Sequence, residues 1–565
     1  MSYIWKLPPK PTQDFIDKFP ELHPIVVQLL YNRGLRTQNE IDEFLNPDYS
    51  QDIHDPHLFK DMEKVCQRLY KAIKEQELIT IYGDYDADGV SSAVILRSVL
   101  KNLGAKVEVY LPHRAKEGYG LNEQAVKELA KQTEVLITCD CGISNIKEVD
   151  LANEQGIDVI ITDHHTIPEI LPKALAIIHP QIPGEKYPFK FLAGGGVAFK
   201  VAQALISHVK NNLSDKEKEI NEKWLLDMVA LATVADMVPL LGENRTLLKY
   251  GMMVLKKTQR LGMKKLIEVA NLDIDKIDTR AISFSLAPRI NAAGRMNHAN
   301  LAYYLMIEED EVKATDLAKE LNQSNLDRQK LTEQIVREAR AQTINEDDAL
   351  LNFFNPNWSS GLTGLVAGRL SREYARPVLV MTEVDGIIVG SGRSIPEFNI
   401  IEALQTNEEL LIKYGGHPQA CGFSMQTAKQ AEFIAVMKGL AAKQLKDVEF
   451  KAKLDIELII DFEDIAWELV DLLERFRPFG QQNPEPLFMS SGLSVTSVRQ
   501  VGNDGKHLKL EVAKGNKKKG SIAFGLGDIK LELGDKIDVV YNLSINQWNG
   551  NREIQLIIKD IKNND

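Results

Sequence analysis

Between residues 78 and 165 the chain repeats one pattern: a short, wholly apolar run, an aspartate, then a helix-like stretch. The runs LITIYG, VLITCD and DVIITD end at Asp84, Asp140 and Asp163, and KVEVYLP adds a further run of the same kind. Apolar runs of this length with no polar alternation are strands buried on both faces, and helices between them supply the crossovers. The pattern therefore predicts a parallel sheet of α/β type, in which all strand ends of one sense share one edge. That edge is where such sheets bind ligands, so acids some 80 positions apart in the chain can meet there.

The first of these acids stands in IYGDYDADG, where Asp84, Asp86 and Asp88 alternate before Gly89 and a helix-like run. Taken alone, this is a polar turn with a capping aspartate. DxDxDG also opens an EF-hand loop, but position twelve, which should be glutamate, is Ile95, and a strand precedes the loop in place of a helix. The second motif ends at Asp140, the third continues as Asp163-His164-His165, and Asp236 follows a long apolar run in LLDMVALATVADMVPL. Several carboxylates with imidazole suit Mn²⁺ or Mg²⁺ better than zinc. Carboxylates that bridge two such ions activate water and stabilise a phosphoryl transition state, which makes phosphoester hydrolysis the expected chemistry. GxSxG, GxxxxGK and GxGxxG are all absent, which disfavours acyl transfer, a P-loop and a dinucleotide-binding oxidoreductase. Cys139 and Cys141 flank Asp140 and are expected on one face of the strand, away from it, as core.

At 565 residues the chain is too long for one core. Residues 1–75 read as short amphipathic helices broken by proline, with Gly34 as a helix stop. Residues 76–310 hold the sheet and its helices. Residues 311–345 read as one long, charge-rich connecting helix, and 346–445 return to mixed strand and helix. Residues 446–565 comprise a linker and about five short strands, which fit a small barrel such as an OB-fold. An Asn-Gly turn at 549–550 marks the last hairpin. The fold class expected is α/β: two α/β lobes joined by a long helix, plus a C-terminal β-barrel. No apolar run approaches a membrane span, the first residues lack a secretory layout, and the four cysteines form no CxxC pair, so a cytoplasmic protein with no membrane partner is expected. A net charge of −12 argues against a nucleic-acid partner only weakly, because acids gathered around metal ions inflate it and residues 491–565 carry a local excess of three positive charges.

DYDADG, the strand ending in Asp140, DHH at 163–165 and VADMVP resemble, in order, the four motifs of DHH phosphoesterases. LPHRAKEGYGL, APRINAAGRM, GSGRS, GGHPQACGFS and PFGQQNPEPLF resemble the branch of that family that degrades single-stranded DNA, and the likeness covers nearly the whole chain. It implies a DHH lobe, an attached DHHA1 lobe and an OB-fold that binds the strand. It further implies two ions, Mn²⁺ or Mg²⁺, held by Asp86, Asp88, Asp140, His164 and Asp236, with Asp84 participating. His165 would lie near the scissile phosphate, and Asp163 would orient the histidines, so that His165, Asp140 and Asp163 form the catalytic set. Arg114, Ser391 and Arg393 would hold a 5′ phosphate. Arg289, Asn291, Arg295, Gly416 and His417 would line the DNA path, with Gly415 to His417 as a backbone nest.

In the barrel a basic groove and stacking aromatics are expected, drawn from Lys506, Lys509, the run Lys517 to Lys519, Arg552 and Trp548. The lysine run reads equally well as a solvated loop. The implied activity is metal-dependent 5′ to 3′ removal of mononucleotides from single-stranded DNA in repair and recombination, with a helicase and a single-strand-binding protein as partners. Two rivals stand beside it: a DHH phosphoesterase for oligoribonucleotides or cyclic dinucleotides, which would lack the β-rich tail, and an inactive replication scaffold, which would have lost ligands.

Overall fold

The computed structural model describes residues 3–114, 116–209, 214–296, 299–548 and 550–564, with Trp548 by its backbone alone. The first lobe is built on a five-stranded, all-parallel sheet of β1 (Leu78–Gly83), β2 (Lys106–Tyr110), β3 (Val135–Cys139), β4 (Asp158–Thr162) and β5 (Ala176–Ile178), in the order β2-β1-β3-β4-β5. Alternate side chains feed two cores. Ile79, Ile81, Val135, Ile137 and Ile160 pack under α1 (Ala87–Asn102), α2 (Gly194–His208) and α3 (Leu226–Ala235), while Tyr82, Leu136, Val159 and Ile161 pack under the helices at 123–129 and 146–154. Helices on both faces are what the unbroken apolar runs require. Chain order reverses between β1 and β3, so the crevice at their carboxyl ends lies between Asp84 and Asp140.

Asp140 breaks the strand alternation. It has φ +62° directly after β3, so Cys139 and Cys141 do not share a face: Cys139 enters the first core and Cys141 the second. Both are buried, as expected, but on opposite sides of the sheet.

Helix α4 (Ala287–Met296) follows a π-helical turn at 282–286 and packs on α5 (Glu311–Arg340). At 30 residues α5 is about 45 Å long and joins the two lobes. Ala314, Ala318 and Leu321 near its start belong to the first lobe's core, and Ile335, Val336 and Ala339 near its end to the second's. The second lobe is a mixed sheet of β6 (Leu351–Phe354), β7 (Val378–Val384), β8 (Ile387–Arg393), β9 (Lys413–His417) and β10 (Ala420–Gln426), in the order β9-β10-β8-β7-β6, with α6 (Thr363–Tyr374) on one face.

The tail closes as a barrel of β11 (Phe488–Val501), β12 (His507–Lys514), β13 (Lys517–Ala523), β14 (Lys536–Trp548) and β15 (Asn551–Asn563), with β11 pairing both β12 and β14. The hairpin stands where the Asn-Gly signal puts it, although Asn549 itself lies outside the described residues. Lys517 to Lys519 start β13, so they belong to a strand and not to a loop.

The amino-terminal helices Pro24–Asn32 and Gln38–Leu45 share a core with this barrel, and Gly34, φ +78°, ends the first of them. A strand the helical reading did not include, Ile4–Lys6, pairs with Lys453–Asp455. The helix Met62–Glu75 packs instead into the first lobe. Two buried arginines tie these parts together. Arg33 pairs with Glu457 at 2.6 Å, and Arg245 donates to the carbonyls of Phe44, Arg475, Phe476 and Arg477 at 2.7–3.1 Å. Among the described residues no helix is long and apolar enough to cross a membrane.

Candidate metal centre

The turn after β1 is held by its own acids. Asp86 caps α1, its Oδ1 accepting from the amides of Asp88 at 2.8 Å and Gly89 at 3.1 Å. A Cβ on Gly89 would stand 2.5 Å from the Asp84 carbonyl oxygen, so only glycine lets the helix start this close to the strand. Asp88 turns inward: its Oδ2 accepts from Gly194 at 2.8 Å and its Oδ1 from Gly195 at 2.7 Å, the first amides of α2. A helix amino terminus favours an anion there. Sequence reasoning passed over these glycines, although the triplet in LAGGGVAF was a visible signal.

His164 is the hub. Its Nε2 lies 3.1 Å from Asp140 Oδ1, 3.6 Å from Asp236 Oδ2 and 3.7 Å from Asp88 Oδ2. Asp236 arrives from the end of α3, a helix, so it reaches the site by a different route from the strand-end acids. Ligand atoms within 4.8 Å of one another form three overlapping groups among the described residues: Asp88, His164 and Asp236; Asp84, Asp86 and Asp140; and Asp140, His164 and His165, which links the other two. Asp84 is buried with an Oδ1 that has no hydrogen-bond partner, an arrangement that is costly unless a cation faces it. The donor set of carboxylate oxygens and one imidazole nitrogen fits hard divalent ions.

Asp163 plays a different part. Its Oδ1 accepts from the amides of His164 and His165 and from His165 Nδ1 at 2.8 Å, and its Oδ2 accepts from Ile143. It is saturated by the protein and orients both histidines. Tyr119, which sequence reasoning did not single out, donates to the Asp140 carbonyl at 3.1 Å and lies 3.0 Å from His165 Nδ1.

The electrostatics divide along the same line. Burial, then the charge of Asp86, pushes Asp84 well up and raises Asp88 to about 7. Burial and the neighbouring carboxylates drive Asp140 well up and Asp236 to about 8. Burial works against the Asp163 carboxylate too, but the hydrogen bond and charge of His165 outweigh it and hold Asp163 at about 2. His165 overcomes its own burial through Asp163 and rises to about 9, whereas burial and the adjacent His165 push His164 down to about 3. The two imidazoles are thus pushed in opposite directions, His164 towards the neutral form and His165 towards the cation.

Opposite this cluster, the second lobe presents Ser391 and Arg393 at the end of β8. Ser391 Oγ lies 2.9 Å from Thr363 Oγ1, and a Cβ on Gly364 would stand 3.4 Å from the Arg393 guanidinium. The start of α6 therefore lies beside both, and a helix amino terminus favours an anion. Arg114 lies over the Tyr85 ring at 4.9 Å, and its charge lowers both Arg393 and Arg295, after burial in each case. Arg289 donates to Ser285 O and Asn322, and Arg295 to Gly361 O. Among the described residues none of Arg114, Arg289, Arg295, Arg328 and Arg393 forms an ion pair with a carboxylate.

Of the other expected contacts, Asn291 lies at the acid turn and the rest lie apart from it. Asn291 Oδ1 accepts from Ala87 N at 2.7 Å. Gly416 and His417 are exposed in the β9–β10 hairpin, a paired strand and not a nest. Lys506 is exposed beside Asp504, and Arg552 lies over Trp467 at 5.2 Å. The Trp548 side chain lies outside what the structure describes.

Residues 78–233 match the DHH family N-terminal domain, 347–443 the DHHA1 domain and 456–560 the RecJ OB domain. Curated proteins named single-stranded-DNA-specific exonuclease RecJ are similar along the whole chain. That of Bacillus subtilis (strain 168) is 36% identical over 98% of this chain and 70% of its own length, and that of Escherichia coli (strain K12) is 33% identical over 96% of each. The crystal structure of RecJ in complex with Mn²⁺ from Thermus thermophilus superposes with a TM-score of 0.86 at 29% identity, covering 100% of this chain and 80% of that one. With the same three domains in the same order and relatives above 30% identity from end to end, the chain belongs to the RecJ family of DHH phosphoesterases.

Proposed function

We propose that this protein is a single-stranded-DNA-specific exonuclease that uses two Mn²⁺ or Mg²⁺ ions and removes 5′ mononucleotides in the 5′ to 3′ direction. The observation that carries the reading is the convergence of seven acid and imidazole side chains at the sheet edge; Ser391 and Arg393, beside the start of α6 on the other lobe, support it as candidates for a phosphate. The relatives' names supply the substrate class, and the T. thermophilus structures, solved with Mn²⁺ and with Mg²⁺, supply the ions.

Asp84, Asp86 and Asp140 would hold one ion and Asp88, His164 and Asp236 the other, with Asp140 between them. When bound, such a pair activates the attacking water and neutralises charge at phosphorus. Arg393, Ser391 and Arg114 clamp the 5′ phosphate, so the next phosphodiester falls at the carboxylate cluster. His165, oriented by Asp163 through Nδ1 and favoured as a cation by it, would steady the charge that grows on that phosphate's oxygens. Water oxygen bonds to phosphorus, the bond to O3′ breaks, and O3′ takes a proton. The first nucleotide leaves, and the phosphate retained on the strand becomes the next 5′ end. Arg289 and Arg295 line the strand beyond the cluster, and Lys506, Lys509, Arg552 and the barrel bind it farther on.

The closed barrel favours a polymer over a dinucleotide substrate, and intact ligands at every position favour an enzyme over a scaffold. A role in DNA repair and recombination follows from family membership. A helicase that exposes single strands and a single-strand-binding protein that covers them are the partners such an activity calls for, and the cytoplasm is its compartment.

The test is digestion of 5′-labelled and 3′-labelled single strands and a blunt duplex with Mn²⁺, for the wild type and Asp140→Ala. Early release of 5′ label as mononucleotide from single strands alone, lost in the variant, is the expected result. Survival of long strands while dinucleotides are cleaved would overturn it.

A further inference from the structure

Three amides open helix α1 at the metal cluster, and each has one acceptor. Asp86 Oδ1 takes Asp88 N and Gly89 N. The third, Ala87 N, is satisfied from another part of the fold, by Asn291 Oδ1 of α4 at 2.7 Å. One turn of chain separates this contact from a second: a Cβ on Gly294 would stand 3.0 Å from the Tyr85 carbonyl oxygen. The face of α4 that carries Asn291 and Gly294 therefore lies directly against residues 85–87, the backbone between Asp84 and Asp88. Its next residue, Arg295, donates to Gly361 O in the second lobe at 3.0 Å.

Asp86 and Asp88 flank Ala87, so the peptide that Asn291 grips is the one whose orientation sets both carboxylates. Family resemblance puts Asn291 among the DNA contacts, a role that would use its Nδ2 donors, whereas its Oδ1 is engaged with the Ala87 amide. We infer that Asn291 is a positioning residue for the metal cluster: by holding Ala87 N–H it fixes the Asp86–Asp88 turn in the conformation in which the two acids face their ions. This rests on the two-ion reading above. The amide matters because a first-turn N–H has no partner within its own helix, and without Asn291 it would seek one by tilting the turn. Residues that orient ligands in this way weaken metal binding about 10- to 100-fold when removed.

The experiment compares Asn291→Leu, which keeps the size and removes the acceptor, with Asn291→Asp, which keeps the acceptor. Mn²⁺ binding is read directly from the electron paramagnetic resonance signal of the free ion, alongside kcat, the KM for a single strand and the thermal unfolding midpoint. The expected result is Mn²⁺ binding at least about tenfold weaker and a lower kcat in Asn291→Leu, with an unchanged KM for the strand, and near-wild-type Mn²⁺ binding in Asn291→Asp. If Asn291 instead touched DNA, both variants would bind Mn²⁺ normally and raise KM, and Asn291→Asp would be the worse of the two because its carboxylate repels phosphate. That outcome overturns the inference, as does equal loss of Mn²⁺ in both variants. Asp140→Ala serves as the reference: if the wild type bound no more Mn²⁺ than this variant, the two-ion reading itself would fall.

Discussion

His165 donates through Nδ1 to Asp163 Oδ1 at 2.8 Å, joining a buried carboxylate to a half-buried imidazole that also lies 3.0 Å from the Tyr119 hydroxyl. The bond orients the ring and raises His165 to about 9 while holding Asp163 at about 2. Asp163→Asn keeps the shape and removes the charge. We expect kcat to fall on the order of 10²-fold and the alkaline limb of the pH–rate profile to move to lower pH, because the imidazolium loses the anion that stabilises it. An unmoved limb in a folded variant would show that His165 does not act as a cation.

The proposed ligands Asp88 and Asp236 are shifted upward, opposite to Asp163. In the ion-free protein Asp88 and Asp236 keep protons up to about 7 and 8, while in the unfolded chain they release them near ~3.9. A carboxyl raised on folding binds its proton better in the folded state, so the ion-free protein loses stability as pH climbs through that window. Divalent ions take the protons' place. The gain in unfolding temperature from saturating Mn²⁺ should therefore be larger at about pH 8 than at about pH 6, and binding near neutral pH should release protons, measurable by calorimetry in buffers of different ionisation enthalpy. Equal gains and no proton release would contradict the assignment of these two acids as ligands.

Gly194 has no room for a side chain: its Cβ would stand 2.7 Å from Asp140 Oδ1. Gly194→Ala must push Asp140 away or tilt α2 and withdraw an amide from Asp88. We expect a loss of kcat of about 10²-fold for a stability cost of only ~1–3 kcal/mol, read by single-turnover rates and urea unfolding of the same preparation. Wild-type turnover would show that neither carboxylate is placed by this helix.

These cases mark what could be read ahead of the structure. Asp84, Asp140 and Asp163 were legible because an apolar strand that stops at an acid announces both its burial and its edge. Asp236 was legible as the acid that follows a long apolar run in a mostly helical stretch, and it caps the end of α3. Gly194 was passed over because a glycine triplet reads as a loop, and its role depends on an acid 106 positions earlier. The shared face expected for Cys139 and Cys141 failed at one residue, Asp140, whose positive φ ends the alternation. The seating of the amino-terminal helices on the barrel joins Arg33 to Glu457 across 424 positions, a contact that no local pattern encodes.

Arg393 and Ser391 meet the α6 amino terminus in the second lobe, and the proposed function assigns them the 5′ phosphate. Arg393→Ala should lower kcat/KM about 10- to 100-fold on strands with a 5′ phosphate and leave strands with a 5′ hydroxyl nearly unaffected. Comparison of the two substrates at several salt concentrations checks it. Equal losses on both would move Arg393 from the 5′ anchor to the general strand path.

The claim on which the rest depends is that Asp140 lies between two ions, one facing Asp84 and Asp86, the other facing Asp88, His164 and Asp236. Anomalous scattering from a crystal of the protein grown with Mn²⁺ tests it most directly. The account predicts two peaks ~3.5–4 Å apart with the Asp140 carboxylate between them. A single peak, or peaks away from Asp140, would contradict it.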